Sequence, residues 1–466
     1  MSRVGNWLLC AGGLVLAALM AYILAFDNLV FPSWKDWGRR SGVYEVAVFF
    51  PSQTDWVGFR RGIQVCQDRG LARRIDDTGD SMVVETTRQK RRIRFAFHDV
   101  RGVQVTKKAV DRLVSNSPPP IALVGSNNTV LTVALAEALR DSAEDEAEDG
   151  PVLLVPWASS VLVDSPEPEG LPVPLLGIDP GRTFRFCPNN QVQADLVVRC
   201  LLEQDPPLTP ARAFILVDRH DAYSADLAEC FQRSIDRTDS KAEVIQDRKT
   251  LAFSGMSHPF VPPTTAELEL ARKIWGRATA TPNDQTTWVV LPVQGDPARR
   301  MIAALHVKAP FNLGPGDGPL RVVVGDGIGL KSLSELAAGK LSFPIFCVSS
   351  ASLPDPGGAA GGVPADGAQI PAEIVSALIH CLDSPRVLDA TALRVALATL
   401  HIPAGDRAAM GRPIDFGRSG EREGMGLGHV MSIRPGSAEV HAMARVESGK
   451  WSQPVPVRPA EVSTPQ

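Results

Sequence analysis

The feature that most constrains this fold is an alternation of short apolar runs with amphipathic helical segments, which begins at Val43. The run VYEVAVFF (43–50) is rich in β-branched and aromatic residues and ends at Pro51, which is typical of a buried parallel strand. The segment that follows (54–70) spaces its apolar residues at helical intervals and ends at a glycine. The pattern continues to Arg182 and then starts again. Two successive runs of this kind predict two doubly wound parallel sheets.

The same periodicities predict the remaining elements. Further strands are predicted over 93–100, 120–126, 151–157, 211–218, 241–247, 286–293 and 320–327. Helices are predicted over 105–116, 129–140, 192–202, 225–235, 265–278 and 297–308. Loops or disorder are predicted for the acidic segment 142–150, the Gly/Pro-rich stretch 354–368 and the tail 451–466.

An uncharged apolar run of 20 residues extends from Trp7 to Phe26. A helix of this length rises about 30 Å, the thickness of the hydrocarbon core of a bilayer. We therefore predict an uncleaved transmembrane signal anchor at 7–26, after a short tail (1–6) and before a stalk (27–42). A cleaved signal peptide is the alternative. The charges that flank the run indicate its orientation only weakly, and an extracytoplasmic soluble part is the preferred interpretation.

Composition and motifs argue against several functions. The chain has 48 basic and 52 acidic side chains and no basic stripe, which disfavours nucleic acid as a partner. Neither a dinucleotide-binding glycine motif after the first strand nor a P-loop, GxSxG or HExxH sequence occurs, so no enzymatic activity is predicted. The seven cysteines and eight histidines are scattered, without zinc-ligand spacing. We predict no metal site and no cofactor.

Six segments resemble, in the right order, the leucine/isoleucine/valine-binding proteins and related receptor ligand-binding domains, which share the periplasmic-binding-protein type I fold. In that family a strand ending in Pro precedes a helix over the cleft, and a strand, Asp, loop, Tyr and helix signature marks the second lobe. The resemblance covers about 43–436. The matching segments are VYEVAVFFPSQTDWVGFRRGIQVC, IRFAFHDVRGVQVTKKAVDRLVSNSPPPIALVGSNNTVLTVALAEAL, FRFCPNNQVQADLVVRCLL, FILVDRHDAYSADLAECFQ, VVVGDGIGLKSLSELAAG and MGRPIDFGRSGEREGMGLGHVMSIRPG.

The resemblance implies two α/β lobes joined by a hinge. Lobe one is expected to comprise 43–182 and 325–405, because VVVGDGIGLKSLSELAAG resembles the strand that returns to lobe one. Lobe two is expected to comprise 183–324 and 406–450.

The resemblance also implies that a ligand binds between the lobes, at loops beyond the carboxyl ends of strands and at the amino ends of helices. Free N–H groups at such helix ends favour a carboxylate. Tyr223 matches the aromatic residue of lobe two, and Trp56 in the first loop is expected to form a wall of the cleft. The candidate ligand-binding residues are Ser126, Asn127, Asn128, Thr129, Ala158, Ser159, Ser160, Tyr223, Asp221, Trp56 and Asp326.

Some of these residues have a purely structural alternative, and one family feature is missing. The run 127–129 also suits a helix N-cap, and Tyr223 could simply pack against its own helix. The loop that commonly carries the carboxylate for a ligand ammonium corresponds to 250–263, which contains no Asp or Glu. Asp296 and Asp326 are the possible substitutes.

These observations lead to one functional prediction and one alternative. The prediction is a membrane-anchored, extracytoplasmic protein that traps a small polar, amino-acid-like ligand between its lobes. It would deliver the ligand to an ABC permease or report it to a membrane sensor partner. The alternative is a non-binding scaffold or protein-interaction module with the same fold.

Overall fold

The structure is a computed structural model that contains two large β-sheets, each with helices on both faces. It describes residues 43–116, 118–143, 150–164, 170–204, 207–218, 220–238, 241–251, 262–280, 285–310, 318–328, 330–349, 368–410, 412–417, 419–422, 429–443, 451, 453 and 455–457.

The first half of the described chain builds the first sheet and the helices that connect its strands. In chain order its elements are β1 (Val43–Phe50), α1 (Gln53–Asp68), β2 (Ala72–Asp77), β3 (Ser81–Thr86), β4 (Arg92–Asp99), α2 (Val103–Val114), β5 (Ala122–Gly125), α3 (Thr129–Ala143), β6 (Val152–Val155), β7 (Leu162–Val163), β8 (Val173–Pro174) and β9 (Thr183–Arg185).

The second half builds the second sheet, returns to the first and ends on the second. Its elements are α4 (Asn190–Leu202), β10 (Pro210–Leu216), α5 (Ala222–Asp236), β11 (Glu243–Asp247), α6 (Thr265–Thr279), β12 (Thr286–Leu291), α7 (Asp296–Val307), β13 (Leu320–Val324), α8 (Leu330–Ala338), β14 (Ile345–Ser349), α9 (Gln369–Leu382), α10 (Ala390–Ala398), β15 (His401–Ile402), β16 (Ile414–Asp415), β17 (His429–Ile433), β18 (Val440–Met443) and β19 (Val455–Val457).

Both sheets are mixed, with a parallel part and an antiparallel edge. The first has the strand order β2-β3-β4-β1-β5-β6-β9. The strands β4, β1, β5, β6 and β9 are parallel to one another, whereas β3 is antiparallel to both of its neighbours, β2 and β4. The second has the order β11-β10-β12-β13-β14-β17-β18-β19, and its last three strands are antiparallel. The predicted α/β class is confirmed, but the sheets are not purely parallel.

Each lobe has a hydrophobic core on both faces of its sheet. In lobe one, α1, α9 and α10 cover one face, and α2 and α3 cover the other. In lobe two, α6, α7 and α8 cover one face, and α4 and α5 cover the other. Since parallel strands are buried on both faces, their sequences are continuous apolar runs, and this explains why the elements could be predicted.

The packing of α1 against α9 depends on a glycine. A Cβ atom added at Gly62 would lie 2.6 Å from Ala372 N and 2.6 Å from Pro371 Cβ, so the two helices could not approach as they do. This contact brings α9, which is more than 300 residues away in sequence, onto the first sheet. The chain thus returns to lobe one at α9, after it has formed most of the strands of lobe two.

The sheet pairings differ from the predicted division into lobes in two segments. β14 pairs with β13 and β17 in the second sheet, so the chain returns to lobe one at α9 and not directly after β13. Residues 408–410, 414 and 416 contribute to the core of lobe one, although they were predicted in lobe two. Alternation in the sequence identifies strands, but it does not tell which sheet a strand joins.

Two further elements differ from expectation. The hairpin of β2 and β3 was not predicted, because β2 (ARRIDD) is polar and mostly exposed. The tail predicted to be disordered contains β19, which pairs with β18, and Trp451, which donates a hydrogen bond from Nε1 to Glu203 (2.9 Å).

Several predicted segments lie outside the described residues. They include the apolar run 7–26, the stalk 27–42 and nearly all of the stretch 354–368. Within the part of the chain that the structure describes, no helix combines the length and the apolar character needed to cross a membrane.

Candidate functional site

The predicted lobe-one loop after β5 forms a helix cap. The backbone N–H of Ser126 donates to Thr132 Oγ1 (3.0 Å), and Asn128 Oδ1 accepts the N–H of Leu131 (2.9 Å) at the start of α3. Asn128 therefore has the capping role that the sequence left open. Ser126 is fully buried.

Asn127 points from this loop toward the first helix. Its Nδ2 donates to Asp55 Oδ2 (3.0 Å), and Asp55 also accepts a hydrogen bond from the Ser52 hydroxyl (2.7 Å). Burial raises the pKa of Asp55, and the two hydrogen bonds partly oppose that shift. No pattern in the sequence singles out Asp55.

The second lobe-one loop, after β6, is held in place by hydrogen bonds from a buried arginine. Arg185 is fully buried; its Nη2 donates to Ser160 O (2.7 Å) and its Nη1 to Ser159 O (3.4 Å). The same guanidinium pairs with Glu421 Oε1 at 3.2 Å. The hydroxyls of Ser160 and Thr129 lie 2.9 Å apart, which links the two lobe-one loops. Arg185 was not predicted as part of the site.

Tyr223 and Asp326 meet at the site in lobe two. Tyr223 lies at the start of α5 and Asp326 follows β13, and the Tyr223 hydroxyl donates to Asp326 Oδ1 at 2.8 Å. The same hydroxyl accepts the N–H of Gly327 (3.3 Å), while Asp326 N donates to Gln193 Oε1 (3.2 Å). A side chain at Gly325 would collide with the Tyr223 hydroxyl, so this position has to be small.

The carboxyl of Asp326 is perturbed by its surroundings. Burial raises its pKa to about 6, although hydrogen bonds from Tyr223 and Gln193 oppose the shift. The nearby Ser159 hydroxyl of lobe one also lowers this pKa, but it makes no hydrogen bond of ordinary geometry within the described residues. Burial and the Asp326 charge raise the pKa of Tyr223, which therefore remains a neutral hydrogen-bond donor. A perturbed carboxyl beside a loop of the other lobe marks a candidate binding site.

Asp221 caps the helix that carries Tyr223. Its Oδ1 accepts the N–H of Tyr223 (3.2 Å), and burial raises its pKa to about 6, with a further increase from Asp218. This arrangement fixes the start of α5. Asp221 is therefore a positioning residue in the structure.

Two predicted site residues lie in the core. Trp56 is fully buried, stacks on Phe59 and Phe97, and donates from Nε1 to Gly79 O (2.5 Å), so it does not form a wall of the cleft. Ala158 is buried in the core between the first sheet and α3. A helical pattern alone does not show on which side of α1 the indole lies.

Among the described residues, no three His, Cys, Asp or Glu side chains are grouped as a metal site would require. The six cysteines that the structure describes are buried and unpaired, and burial raises the pKa of the Cys66 thiol, among others.

No protein-family model matches the sequence, and no curated protein is similar to it by sequence. Solved structures are similar in fold. The leucine complex of an ABC transporter substrate-binding protein from Desulfitobacterium hafniense has 14% identity and a TM-score of 0.57, over 85% of this chain and 98% of that one. A leucine-binding protein from Thermotoga maritima has 13% identity and a TM-score of 0.56, over 86% and 97% of the two chains.

A branched-chain amino acid binding protein from Streptococcus pneumoniae, solved with isoleucine, has 13% identity and a TM-score of 0.54, over 90% of this chain and all of that one. The chain has the periplasmic-binding-protein type I fold. Asp326 of lobe two lies near the Ser159 hydroxyl in the lobe-one loop after β6. At such low identity the similarity establishes the fold alone.

Proposed function

We propose that this protein binds a small polar ligand with an amino group between its two lobes. The observation that carries the proposal is the Tyr223–Asp326 pair, in which the first turn of α5 and the loop after β13 bring a hydroxyl and a carboxyl to 2.8 Å. A carboxylate in a partly dehydrated environment is a group that binds a ligand ammonium. Asp326 thus replaces the acidic residue that the loop 250–263 lacks.

Lobe one offers the complementary groups. The hydroxyls of Ser159, Ser160 and Thr129 and the amide of Asn127 are hydrogen-bond donors suited to a ligand carboxylate. The similar structures from D. hafniense and S. pneumoniae contain leucine and isoleucine, which carry both an ammonium and a carboxylate. We therefore infer an amino-acid-like ligand.

The apolar run 7–26 supports a membrane anchor in this proposal. The soluble lobes would then lie on the extracytoplasmic face and pass the ligand to an ABC permease or report it to a membrane sensor partner. Ligand capture in solution and attachment to the membrane are separate parts of the proposal, and each has its own test.

A thermal-shift screen of the purified full chain tests ligand capture. Amino acids, amides, short peptides, sugars and small carboxylates are compared at millimolar concentration. A ligand that binds only the folded state stabilises it by about 2.7 kcal/mol at a hundredfold excess over Kd. We expect amino acids to raise Tm, and we expect Asp326→Asn and Tyr223→Phe to reduce the shift while the proteins still unfold cooperatively.

A flat response to every class would instead favour the scaffold alternative. That alternative has support in the structure, since several polar side chains of the predicted site bind one another. The pairs Thr129–Ser160 and Asn127–Asp55 already use hydrogen-bonding groups that a ligand would otherwise engage.

A further inference from the structure

A carboxylate of lobe two binds directly to the backbone of lobe one. Asp226 lies on α5, and its side chain is buried. Its Oδ2 accepts the N–H of Val161 (2.8 Å), and its Oδ1 accepts the N–H of Leu162 (3.0 Å). These consecutive N–H groups follow Ser160 in the loop after β6. The contact therefore joins α5 to a loop of the candidate site.

A third donor comes from the segment in which the chain enters lobe two. The side-chain Nδ2 of Asn190 donates to Asp226 Oδ2 (2.8 Å), and its backbone N–H donates to Ser159 O (2.7 Å). Asn190 is fully buried. The side chain of Val161 packs against the core of lobe two, so the contact is apolar as well as polar.

We propose that Asp226, Asn190, Val161 and Leu162 form an inter-lobe latch that holds the lobes closed in the absence of a ligand. The proposal builds on the proposed binding cleft, but it does not depend on the identity of a ligand. In two-lobed binding folds, closure usually responds to a ligand that contacts both lobes. Here a group of the protein itself, the Asp226 carboxylate, bridges the two lobes.

The physical argument rests on what opening would expose. Separation of the lobes would break two backbone hydrogen bonds to Asp226 and expose Val161, which packs on the other lobe. Hydrogen bonds to a buried carboxylate are stronger than those between neutral groups, and their loss leaves a charge to be solvated. The closed state is therefore favoured before any ligand binds, and a ligand can enter only through the minor open state.

The distance between two spin labels on the full chain, measured by double electron–electron resonance, tests the latch. Spin labels are attached at Val105→Cys in lobe one and Lys249→Cys in lobe two, both exposed, in a Cys10→Ser background. The six described native cysteines are buried and so protected from labelling. Without added ligand, we expect a single short distance. Asp226→Asn should increase the longer-distance population at least about tenfold, because one carboxylate oxygen becomes an N–H donor that faces other donors.

Asp195→Asn is the matched control. Asp195 is a half-buried carboxylate of lobe two that accepts hydrogen bonds from Ser234 (2.6 Å) and Gln191 (3.0 Å), both within the same lobe. It should leave the distance distribution unchanged. Asn190→Ser, which removes one of the three donors, provides a milder second variant if Asp226→Asn fails to fold.

Two results would overturn the latch: a mainly long distance in the unmodified chain, or unchanged distributions in folded Asp226→Asn and Asn190→Ser proteins. The second would mean that the contact lies at the hinge and persists in the open form. Neither result bears on ligand capture, which the thermal-shift screen measures separately. A latched chain with no thermal shift would support the latch and reject ligand binding.

Discussion

At the scale of single residues, the candidate site depends on one carboxyl whose position the sequence indicated only as an alternative. Asp326 follows a buried strand, and loops after strands in such sheets carry binding groups. Its hydrogen-bond partner Gln193 and the nearby Ser159 come from distant segments, so only the fold brings them together. Arg185 and Asp226 were missed because charged residues inside helical or strand patterns are usually exposed, whereas here both are buried.

The raised pKa of Asp326 predicts a specific dependence of stability on pH. Its pKa is about 6 in the folded protein and 3.8 for the unperturbed group, so the folded state binds more protons between these values. Stability attributable to Asp326 is therefore highest below about pH 4 and is lost as pH rises through about 6. A shift of this size corresponds to about 2 kcal/mol after allowance for partial solvation.

We expect Asp326→Asn to remove the loss of stability that Asp326 causes as pH rises. Urea unfolding at pH 4.5 and pH 7.5 should show a smaller decrease in unfolding free energy for the variant than for the unmodified chain. The exposed Asp164→Asn serves as the control and should keep the original decrease. An identical pH dependence in all three proteins would mean that Asp326 titrates as an exposed carboxyl does.

At the scale of elements, the sequence predicted most helices and strands but not how they assemble. β1, α1 and β12 were clear because their apolar residues follow one period without interruption. β2 was missed because an edge strand with solvent on both sides carries no such period. The segment 325–405 was expected in lobe one, but β14 within it joins the second sheet, because sheet membership depends on contacts between distant segments.

One such contact is a buried ion cluster that binds α9 to Arg412 and Arg422, which precede the return of the chain to the second sheet at β17. Glu373 on α9 pairs with Arg412 (2.6 and 2.9 Å) and with Arg422, and all three side chains are buried. Arg422 Nη1 also donates to Phe186 O (3.4 Å), next to the first crossover. The two arginines lower the pKa of Glu373 against the effect of its burial.

We predict that Glu373→Gln destabilises the protein by about 3–5 kcal/mol, because it leaves two buried guanidinium groups without their counter-charge. The matched control is Glu335→Gln, at an exposed carboxylate 3.5 Å from Arg299, which should cost less than about 1 kcal/mol. Urea unfolding measures both values. Equal small effects would show that the cluster contributes little to the stability of α9 on lobe one.

At the scale of the whole molecule, the proposed anchor and the two lobes occupy separate parts of the chain. The described chain starts at β1, in the middle of the first sheet, and 16 residues (27–42) separate β1 from the apolar run 7–26. At about 3.5 Å per residue the intervening segment could reach at most about 55 Å, enough for the lobes to stand clear of a bilayer. The proposed anchor and the proposed ligand capture can therefore be tested separately.

We predict that the full chain stays in the membrane fraction after alkaline carbonate extraction, because about 20 apolar residues suffice to span the bilayer. A variant that lacks residues 7–26 should move to the soluble fraction. A third variant, with Leu16→Arg and Leu19→Arg in the middle of the run, should also be released without a change in chain length, since each charge costs about 2.5–3.5 kcal/mol at the centre of a bilayer. If the full chain were extracted as readily as these variants, the apolar run would not be an anchor. The amino-acid-dependent thermal shift would then still be expected, since it depends on the lobes alone.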